Sequence, residues 1–273
     1  MLALRERIER EDPGTLREAE SAPRAAVERV HPAEYLDYLR GFCERGGGIV
    51  HERDMVLTSA TYDAAMAGVG AVLAAVAYAC EGKGNAFAAV RPPGHHALQQ
   101  TPMGFCLFAN AVIAAREAQA RGCKRVLIVD WDVHHGNGTQ AFVEKDPSVR
   151  FVSMHQWPLY PGTGKASERG VGNVFNVPLP PGLPPERYVQ ELLAAIDQAL
   201  VPGSPDFLLL SAGYDSMRGD PLGGFTLEAR HYGDLVREFR RGCSGTPIVG
   251  LLEGGYDPAL LAEGVLATLR ALI

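Results

Sequence analysis

Apolar and polar positions divide the chain from residue 86 onward into two alternating kinds of segment. Short apolar runs with the length of buried strands alternate with longer Ala- and Leu-rich stretches of helical period. This alternation is typical of βα units stacked on a parallel sheet. The predicted strands are 86–90, 125–129, 149–153, 206–210 and 247–251, and the predicted helices are 108–122, 184–200, 226–241 and 257–271.

The region before residue 60 is less regular. Helical stretches are predicted near 2–11 and 32–44, and the glycines from Gly46 to Gly48 predict a turn. The chain has 273 residues, a length at which α/β folds commonly form one domain with a large core. Because we find no repeat, linker or low-complexity segment, we expect residues 1–273 to form a single domain.

Composition narrows the classes of protein to which the chain can belong. With 47% hydrophobic and 21% charged residues, the chain has the composition of an ordinary globular protein. The net charge of -6 includes no long basic run, which argues against a nucleic-acid partner. The N-terminus is charged and no segment approaches the roughly 20 apolar residues of a membrane span, so we expect no membrane partner and a cytoplasmic location. Five scattered cysteines without a CxxC pair favour reduced thiols.

Unusual polar side chains directly follow each predicted strand. In open α/β sheets, ligands bind in the crevice outside the carboxyl ends of the strands. We therefore expect five segments to converge on one site. In chain order they are RPPGHHA, DWDVHHGNG, SMHQW, SAGYD and EGGYD.

The second segment contains a candidate metal site. In an extended chain alternate side chains share a face, so Asp130, Asp132 and His134 present two carboxylates and an imidazole together. Asp215, after a later strand, can supply a third protein ligand and leave an open position for water, as catalytic zinc sites require. Taken alone, Asp215 would be interpreted as a helix cap or turn residue. Because the other motifs occur with it, we favour a metal ligand instead.

The first segment contains a candidate acid/base pair, His95 and His96. The preceding prolines stiffen the backbone and the glycine permits a sharp turn, so the two rings can be presented rigidly to a crevice. Adjacent loop histidines are otherwise usually solvated. Here Asp130 can orient His95 and Asn137 can orient His96, which would fix their tautomers.

Tyr256 follows two glycines, Gly254 and Gly255, that let backbone and substrate approach closely. Its hydroxyl can donate to an oxyanion opposite the metal, and a buried core tyrosine is the alternative. Asp257 is predicted to cap a helix with Pro258 in its first turn. His135 is predicted to be structural. The histidines without a motif around them are predicted to be surface or capping residues, namely His31, His51 and His231.

Taken together, these motifs resemble the histone deacetylase superfamily, particularly its class II enzymes and bacterial relatives such as acetylpolyamine amidohydrolases. The matching segments, in order over residues 50–260, are RPPGHHA, GFCLFAN, DWDVHHGNGTQ, YPGTG, SAGYDSMRGDPLGG and LEGGY. The resemblance implies the three-layer α/β arginase/deacetylase fold, in which helices flank a central, mostly parallel sheet. Class I enzymes carry Asp at the position of Asn137, so in this respect the chain resembles the class II enzymes.

The resemblance also implies the roles of individual residues. His96 would be the general base and acid, His95 with Asp130 an electrostatic support, and Tyr256 the group that polarises the carbonyl. Zinc would be held by Asp132, His134 and Asp215, and a structural potassium by Asp130, Asp132, His134, Ser153 and Met154. The acyl-amine tunnel would be lined by Gly104, Phe105, Tyr160, Leu222, Gly254 and Gly255, with Tyr160 where many relatives place Phe.

The substrate implied is acylated lysine or another small acylated amine. Relatives that favour polyamines carry an acidic residue at the position of Leu222, so leucine favours a lysine-like tether. The chain begins where the family's first strand and rim loop would already have passed, and an uncovered tunnel mouth would favour closure by another subunit in a homo-oligomer.

Three alternatives stay open at this point. A binuclear manganese ureohydrolase needs further carboxylates where Gly136 and Met217 stand, which argues against a second metal. A non-catalytic acyl-amine binding module would have lost the tyrosine, so Tyr256 argues against it. The ion itself can be zinc or ferrous iron, because an Asp2His ligand set takes both.

Overall fold

A computed structural model describes residues 2–11, 16–51 and 55–273 of the chain. Its strands are β1 Gly48–Ile49, β2 Val56–Leu57, β3 Ala86–Ala88, β4 Val126–Asp130, β5 Val149–Gln156, β6 Val174–Leu179, β7 Phe207–Ala212 and β8 Ile248–Leu252. Six of them form one parallel sheet in the order β3-β8-β7-β4-β5-β6, and β1 and β2 form a separate antiparallel pair. The α/β prediction with a parallel sheet is therefore confirmed.

Helices cover both faces of the sheet, which gives three layers. They are α1 Leu2–Glu11, α2 Arg24–Glu28, α3 Ala33–Glu44, α4 Thr61–Cys80, α5 Asn110–Ala120, α6 Asn137–Val143, α7 Pro185–Leu200, α8 Ala229–Gly242 and α9 Pro258–Leu272. The first four residues of strand β4 are apolar, as expected for a strand with both faces buried. Val126 and Ile128 belong to the core beneath α2 to α6, whereas Leu127 and Val129 belong to the core beneath α1 and α7 to α9.

Strand register brings the carboxyl ends of the central strands together. Asp130, the last residue of β4, pairs with Ser153 of β5 on one side and with Ser211 of β7 on the other. Segments that follow these strands therefore leave the sheet at one edge, as expected. The five predicted strands are all present, with small shifts at their ends.

Strand β6 and helix α6 were not predicted from the sequence. β6 contains Pro178 and lies at the edge of the sheet, half-buried, so it lacks the continuous apolar pattern of the other strands. Helix α6 has only seven residues and begins inside the motif segment that follows β4. Short elements at an edge or inside a loop give little periodic signal.

Helix α4 contradicts the expectation that no segment approaches the length of a membrane span. By length and composition alone, its 20 residues are long and apolar enough to cross a membrane. Of its most apolar stretch, 44% is buried inside the structure. The helix packs against α5 and β3 through buried residues such as Val69, Val72 and Val76. Its apolar character is therefore used in the core beside the sheet.

The motif-free histidines were predicted to be surface or capping residues, and His31 contradicts that prediction because it is completely buried. His231 does cap α8, since its side chain accepts a hydrogen bond from the backbone of Glu228. His51 is exposed, as expected. Asp257 caps α9 by accepting hydrogen bonds from two backbone N–H groups of its first turn. The five cysteines are free thiols.

Candidate active site

A cluster of three metal-binding side chains lies at the carboxyl ends of β4 and β7. Asp132 and His134 come from the segment after β4, and Asp215 comes from the segment after β7. His134 Nδ1 is 3.0 Å from Asp132 Oδ1 and 3.2 Å from Asp215 Oδ2. All three residues are buried, and one ligand atom from each lies within 4.8 Å of the others.

Main-chain N–H groups hold these carboxylates in place. Asp132 Oδ1 accepts a hydrogen bond from the backbone of His134, and Asp215 Oδ1 accepts one from Val133. The backbone N–H of Gly254, after β8, donates to Asp132 Oδ2 at 2.8 Å. A Cβ atom at Gly254 would overlap Asp215 Oδ2, so only glycine allows this close approach.

The charges in the cluster fit a bound divalent cation. Burial and the negative charge of the neighbouring Asp132 together raise the pKa of Asp215 to about 7. Burial would lower the pKa of His134, but the nearby carboxylates of Asp132 and Asp215 outweigh it and raise the pKa to about 10, so that without a cation the imidazolium balances their charge. Asp215 Oδ2 is buried and accepts no well-formed hydrogen bond in the described part of the chain, with His134 Nδ1 at 3.2 Å as its nearby positive group. A cation would give that oxygen a partner, and two carboxylates with one imidazole suit zinc or ferrous iron.

The two histidines of the segment after β3 are brought beside this cluster. His95 Nδ1 donates to Asp130 Oδ2 at 3.0 Å, and its ring lies 4.0 Å from that of His96 between centroids. Burial would lower the pKa of His95, but the negative charges of Asp132 and Asp130 raise it well above its ordinary value. His95 is therefore expected to be positively charged.

His96 has the opposite character. Burial and the positive charge of His95 lower its pKa well below the ordinary value, so the ring is neutral. His96 Nδ1 donates to Asn137 Oδ1 at 2.7 Å, which leaves Nε2 as the acceptor. Gly104, with φ +54°, lies so close that a Cβ there would overlap the His96 ring. The structure thus gives His96 the tautomer that a general base needs.

Tyr256 follows β8, two residues after Gly254, whose backbone contacts Asp132. Burial, and then the charges of Asp215 and Asp132, raise the pKa of its hydroxyl, so the phenol stays protonated and can donate. Its backbone N–H donates to Asp220 Oδ2 at 2.8 Å, while Asp220 Oδ1 accepts from the backbone of Leu222. Asp220, which the sequence reasoning missed, thereby ties Tyr256 to the GDPLGG segment.

Three of the residues predicted to line a tunnel are large apolar or aromatic side chains at the protein surface. The Phe105 ring lies 6.2 Å from Tyr256, and the Tyr160 ring lies 5.1 Å from His96. Phe105, Tyr160 and Leu222 are all partly exposed, at 42%, 37% and 44%. A cavity of about 430 Å³ is bordered by Phe105, Gly254 and Tyr256, and its lining does not include the three side chains of the metal cluster. Of the residues predicted to line a tunnel, Phe105 and Gly254 border the cavity, whereas Tyr160 lies beside His96.

Glu253 is a second buried group that the sequence reasoning missed. Its Oε2 accepts hydrogen bonds from the backbone N–H groups of Gly94 and His95, at 2.7 and 3.1 Å, and its Oε1 accepts one from Ser211. Burial raises the pKa of Glu253 to about 7. The residue precedes the two glycines of the LEGGY segment, and no local pattern distinguished it from a strand-end carboxylate in solvent.

The residues predicted for potassium and His135 lie next to the cluster on its β5 side. Ser153 and Met154 are completely buried, and Ser153 is the register partner of Asp130. Ser153 Oγ is 3.1 Å from His155 Nδ1. His135 is hydrogen-bonded through both ring nitrogens, to Thr163 and to Gln140, so it is tied into the protein, as a structural histidine would be.

Comparison with known proteins identifies the family that carries this arrangement. The sequence model described as the histone deacetylase domain matches residues 2–272. The chain belongs to the histone deacetylase family. Its fold is correspondingly similar to that of the crystal structure of the HDA15 HD domain, with a TM-score of 0.94 and 33% identity, over 99% of this chain and 82% of that chain.

Two curated members of the histone deacetylase family show the extent of the similarity. A probable deacetylase of Archaeoglobus fulgidus is 38% identical over 240 residues, which are 85% of this chain and 66% of that protein. A histone deacetylase-like amidohydrolase of Pseudomonas aeruginosa is 36% identical over 92% of this chain and 70% of that protein. The chain thus spans about two thirds of the length of these relatives.

Proposed function

We propose that the chain is a zinc-dependent amidohydrolase that removes acetyl or other acyl groups from acylated lysine or a related amine. The observation that carries this proposal is one site that combines the Asp132, His134 and Asp215 cluster, a neutral His96 and a protonated Tyr256. Membership of the deacetylase family supports it. When bound, a divalent ion supplies Lewis acidity that polarises an acyl carbonyl and lowers the pKa of water.

The protein's own residues would move the protons and stabilise the charge. His96 Nε2 accepts a proton from the attacking water, because Asn137 holds the ring in the required tautomer. The same atom then returns the proton to the leaving amine. The Tyr256 hydroxyl donates a hydrogen bond to the oxygen on which negative charge develops. His95, charged beside Asp130, keeps the pKa of His96 low.

The proposal also covers the identity of the ion, a second cation and the assembly. Ferrous iron suits the same ligand set as zinc. A structural potassium beside Asp130 and Ser153 is supported by the resemblance and by their adjacent register. A homo-oligomer and a cytoplasmic location remain predictions from the sequence.

Leu222 is the residue that bears on substrate choice. It is 44% exposed, and its backbone is fixed by Asp220. A leucine at this place gives apolar contact to the methylene stem of a lysine and offers no charge to the second cation of an acetylpolyamine. We therefore propose acyl-lysine, or another amide with an uncharged tether, as the preferred substrate class.

A metal-defined activity panel tests the proposed function. The purified chain would be stripped with a chelator, reloaded with zinc or ferrous iron, and assayed on acetyl-lysine peptides, longer acyl-lysine peptides and N8-acetylspermidine. We expect activity only after reloading, inhibition by hydroxamates, and a higher kcat/KM for an acyl-lysine peptide. Full activity in the stripped protein would contradict metal dependence, and a tenfold or greater preference for acetylspermidine would contradict the substrate assignment.

A further inference from the structure

The segment 91–109 between β3 and α5 carries His95, His96, Gly104 and Phe105, and we call it the histidine loop. It contains neither a helix nor a long strand, only short turns and one bridge between Met103 and Cys106. Its first part is held by Glu253, as described above. The loop positions two groups of the active site. Residues that hold its second part, 97–109, can therefore affect the position of those groups.

His31 contacts the second part of the histidine loop at two main-chain atoms. Its Nδ1 is 3.0 Å from Gln99 O, and its Nε2 is 2.9 Å from Ala109 N. Only a neutral ring with the proton on Nδ1 can donate to that carbonyl and accept from that N–H group. Burial lowers the pKa of His31 to about 4, which keeps the ring neutral near pH 7.

Tyr35, one turn further along the chain, adds a third bond. Its hydroxyl donates to Leu107 O at 2.8 Å. The His31 ring lies 5.3 Å from that of Tyr35, 5.6 Å from Phe108 and 5.4 Å from Phe142. These aromatic neighbours exclude water, so a main-chain group that lost its partner here would remain unsatisfied.

Short contacts connect these anchor points to His96. Cys106, next to Leu107, accepts a hydrogen bond on Sγ from the backbone of His96 at 3.5 Å. Gly104 packs against the His96 ring. Met103 Sδ lies 3.5 Å from Asn137 Nδ2, the amide of the residue that orients His96. A shift of residues 103–107 would therefore reach both the base and its orienting partner.

We infer that His31 and Tyr35 are positioning residues, which hold the histidine loop so that His96 and Phe105 face the metal cluster. Neither touches the reacting atoms. The competing explanation is that both rings only fill space in the core, as phenylalanine would. The two explanations differ in what they require of residue 31, because positioning needs a donor and an acceptor on one side chain, whereas filling needs only an apolar ring.

Three substitutions separate these explanations. His31→Gln keeps one donor and one acceptor, His31→Phe keeps the ring and loses both, and Tyr35→Phe loses only the hydroxyl. Tyr62→Phe is the matched control, because the Tyr62 ring also lies against Phe108, at 6.1 Å, and its hydroxyl forms no hydrogen bond to residues 91–109. Each variant would be assayed for kcat, KM, metal content and hydrogen exchange.

We expect His31→Phe and Tyr35→Phe to lose about tenfold or more in kcat, since displacements of about 1 Å at an active site can cost roughly 100-fold. Metal content should stay that of the parent, and His31→Gln and Tyr62→Phe should stay within about threefold. Equal kcat in His31→Phe and His31→Gln, together with parental kcat in Tyr35→Phe, would overturn the inference. Should His31→Phe fail to fold, the comparison of Tyr35→Phe with Tyr62→Phe decides alone.

The kinetic arm rests on the proposed function, whereas hydrogen exchange does not. In His31→Phe and Tyr35→Phe we expect faster amide exchange within 97–109 and parental exchange within 126–135. Faster exchange over the whole chain, or parental exchange in the loop, would contradict a positioning role. Absence of deacylation by the parent would instead contradict the proposed function and leave the exchange result valid.

Discussion

The metal cluster and the histidine loop lie in the same site, but different interactions hold them in position. Asp132 and His134 leave β4 directly, and their carboxylate and backbone groups bond to each other within a few residues. The histidine loop is instead held by residues remote from it in sequence, His31 and Tyr35 before it and Glu253 long after it. Sheet topology brings the first region together, and hydrogen bonds from Val133 and Gly254 then hold its carboxylates. The second region lies on no strand of the sheet and depends on buried long-range hydrogen bonds.

This difference predicts different consequences of substitution in the two regions. Loss of a cluster ligand should remove the metal, because the ion is the partner of the buried carboxylates. Loss of a bond to the loop should leave the cluster and its metal intact and reduce turnover. Measurements of metal content alongside kcat therefore separate the two regions, and the predictions below use that separation.

Among variants that keep the metal, the largest effect is expected from Tyr256→Phe, which removes one donor in the segment after β8. Loss of a single oxyanion donor typically costs about 100- to 1,000-fold in kcat. We expect that loss with parental metal content and with inhibitor binding retained better than activity. A Tyr256→Phe enzyme within about threefold of the parent would show that the hydroxyl has no such role.

Glu253 tests how much the loop depends on its first anchor. Glu253→Ala leaves the N–H groups of Gly94 and His95 buried without an acceptor, so the free energy of unfolding should fall by roughly 3 kcal/mol. Glu253→Gln keeps an acceptor oxygen and should cost less than about 1 kcal/mol. Denaturant unfolding monitored by circular dichroism measures both. If the two variants were equally stable, the bonds to the loop would not be the stabilising interaction.

His31 also makes a prediction about pH. Its pKa is lowered to about 4 in the folded chain from the usual 6.5, so between these values the unfolded chain binds more protons. Its contribution to stability is therefore fully present above pH 6.5 and is lost as the pH falls towards 4. Relative to His31→Gln, the parent should lose roughly 2 kcal/mol in free energy of unfolding between pH 7 and pH 4.5.

The control for this pH prediction is His51→Gln, because His51 is an exposed histidine outside the core. That variant removes a histidine outside the core and leaves His31 in place, so it should keep the parent's loss of stability between pH 7 and pH 4.5. If His31→Gln also followed the parent between pH 7 and pH 4.5, the ring would not be held neutral by burial.

The smallest effect is expected at the rim, from Leu222→Glu. A carboxylate at this partly exposed position would attract the second cation of an acetylpolyamine, and solvent weakens that attraction. We expect the ratio of kcat/KM for N8-acetylspermidine to that for an acetyl-lysine peptide to rise about tenfold, which corresponds to about 1.4 kcal/mol. An unchanged ratio would mean that the residue 222 side chain does not face the substrate tether.

The same contrast explains what could be predicted from the sequence. Polar residues directly after apolar strands were expected to meet at one edge, and the structure places Asp130, Asp132, His134 and Asp215 together there. The end of a buried strand can be located in the sequence because an apolar run changes abruptly to polar residues there. The predicted orienting partners, Asp130 for His95 and Asn137 for His96, are also in hydrogen-bond contact.

The anchors of the histidine loop could not be found in this way. His31 lies between a short helix and α3 with no motif around it, and its importance comes from bonds to residues 68 and 78 positions away. Sequence periodicity reports local structure and contains no information about such distant partners. Glu253 and Asp220 were missed for the same reason, because their acceptor oxygens serve backbone groups on other segments.

The most direct test of the account is the metal content of Asp215→Ala, measured by elemental analysis after dialysis against a weak chelator. Asp257→Asn is the control, because Asp257 caps α9 outside the cluster. The parent and Asp257→Asn should each retain about one divalent ion per chain, and Asp215→Ala should lose both the ion and deacylation. A full equivalent of tightly bound metal in Asp215→Ala would contradict the assignment of the catalytic centre.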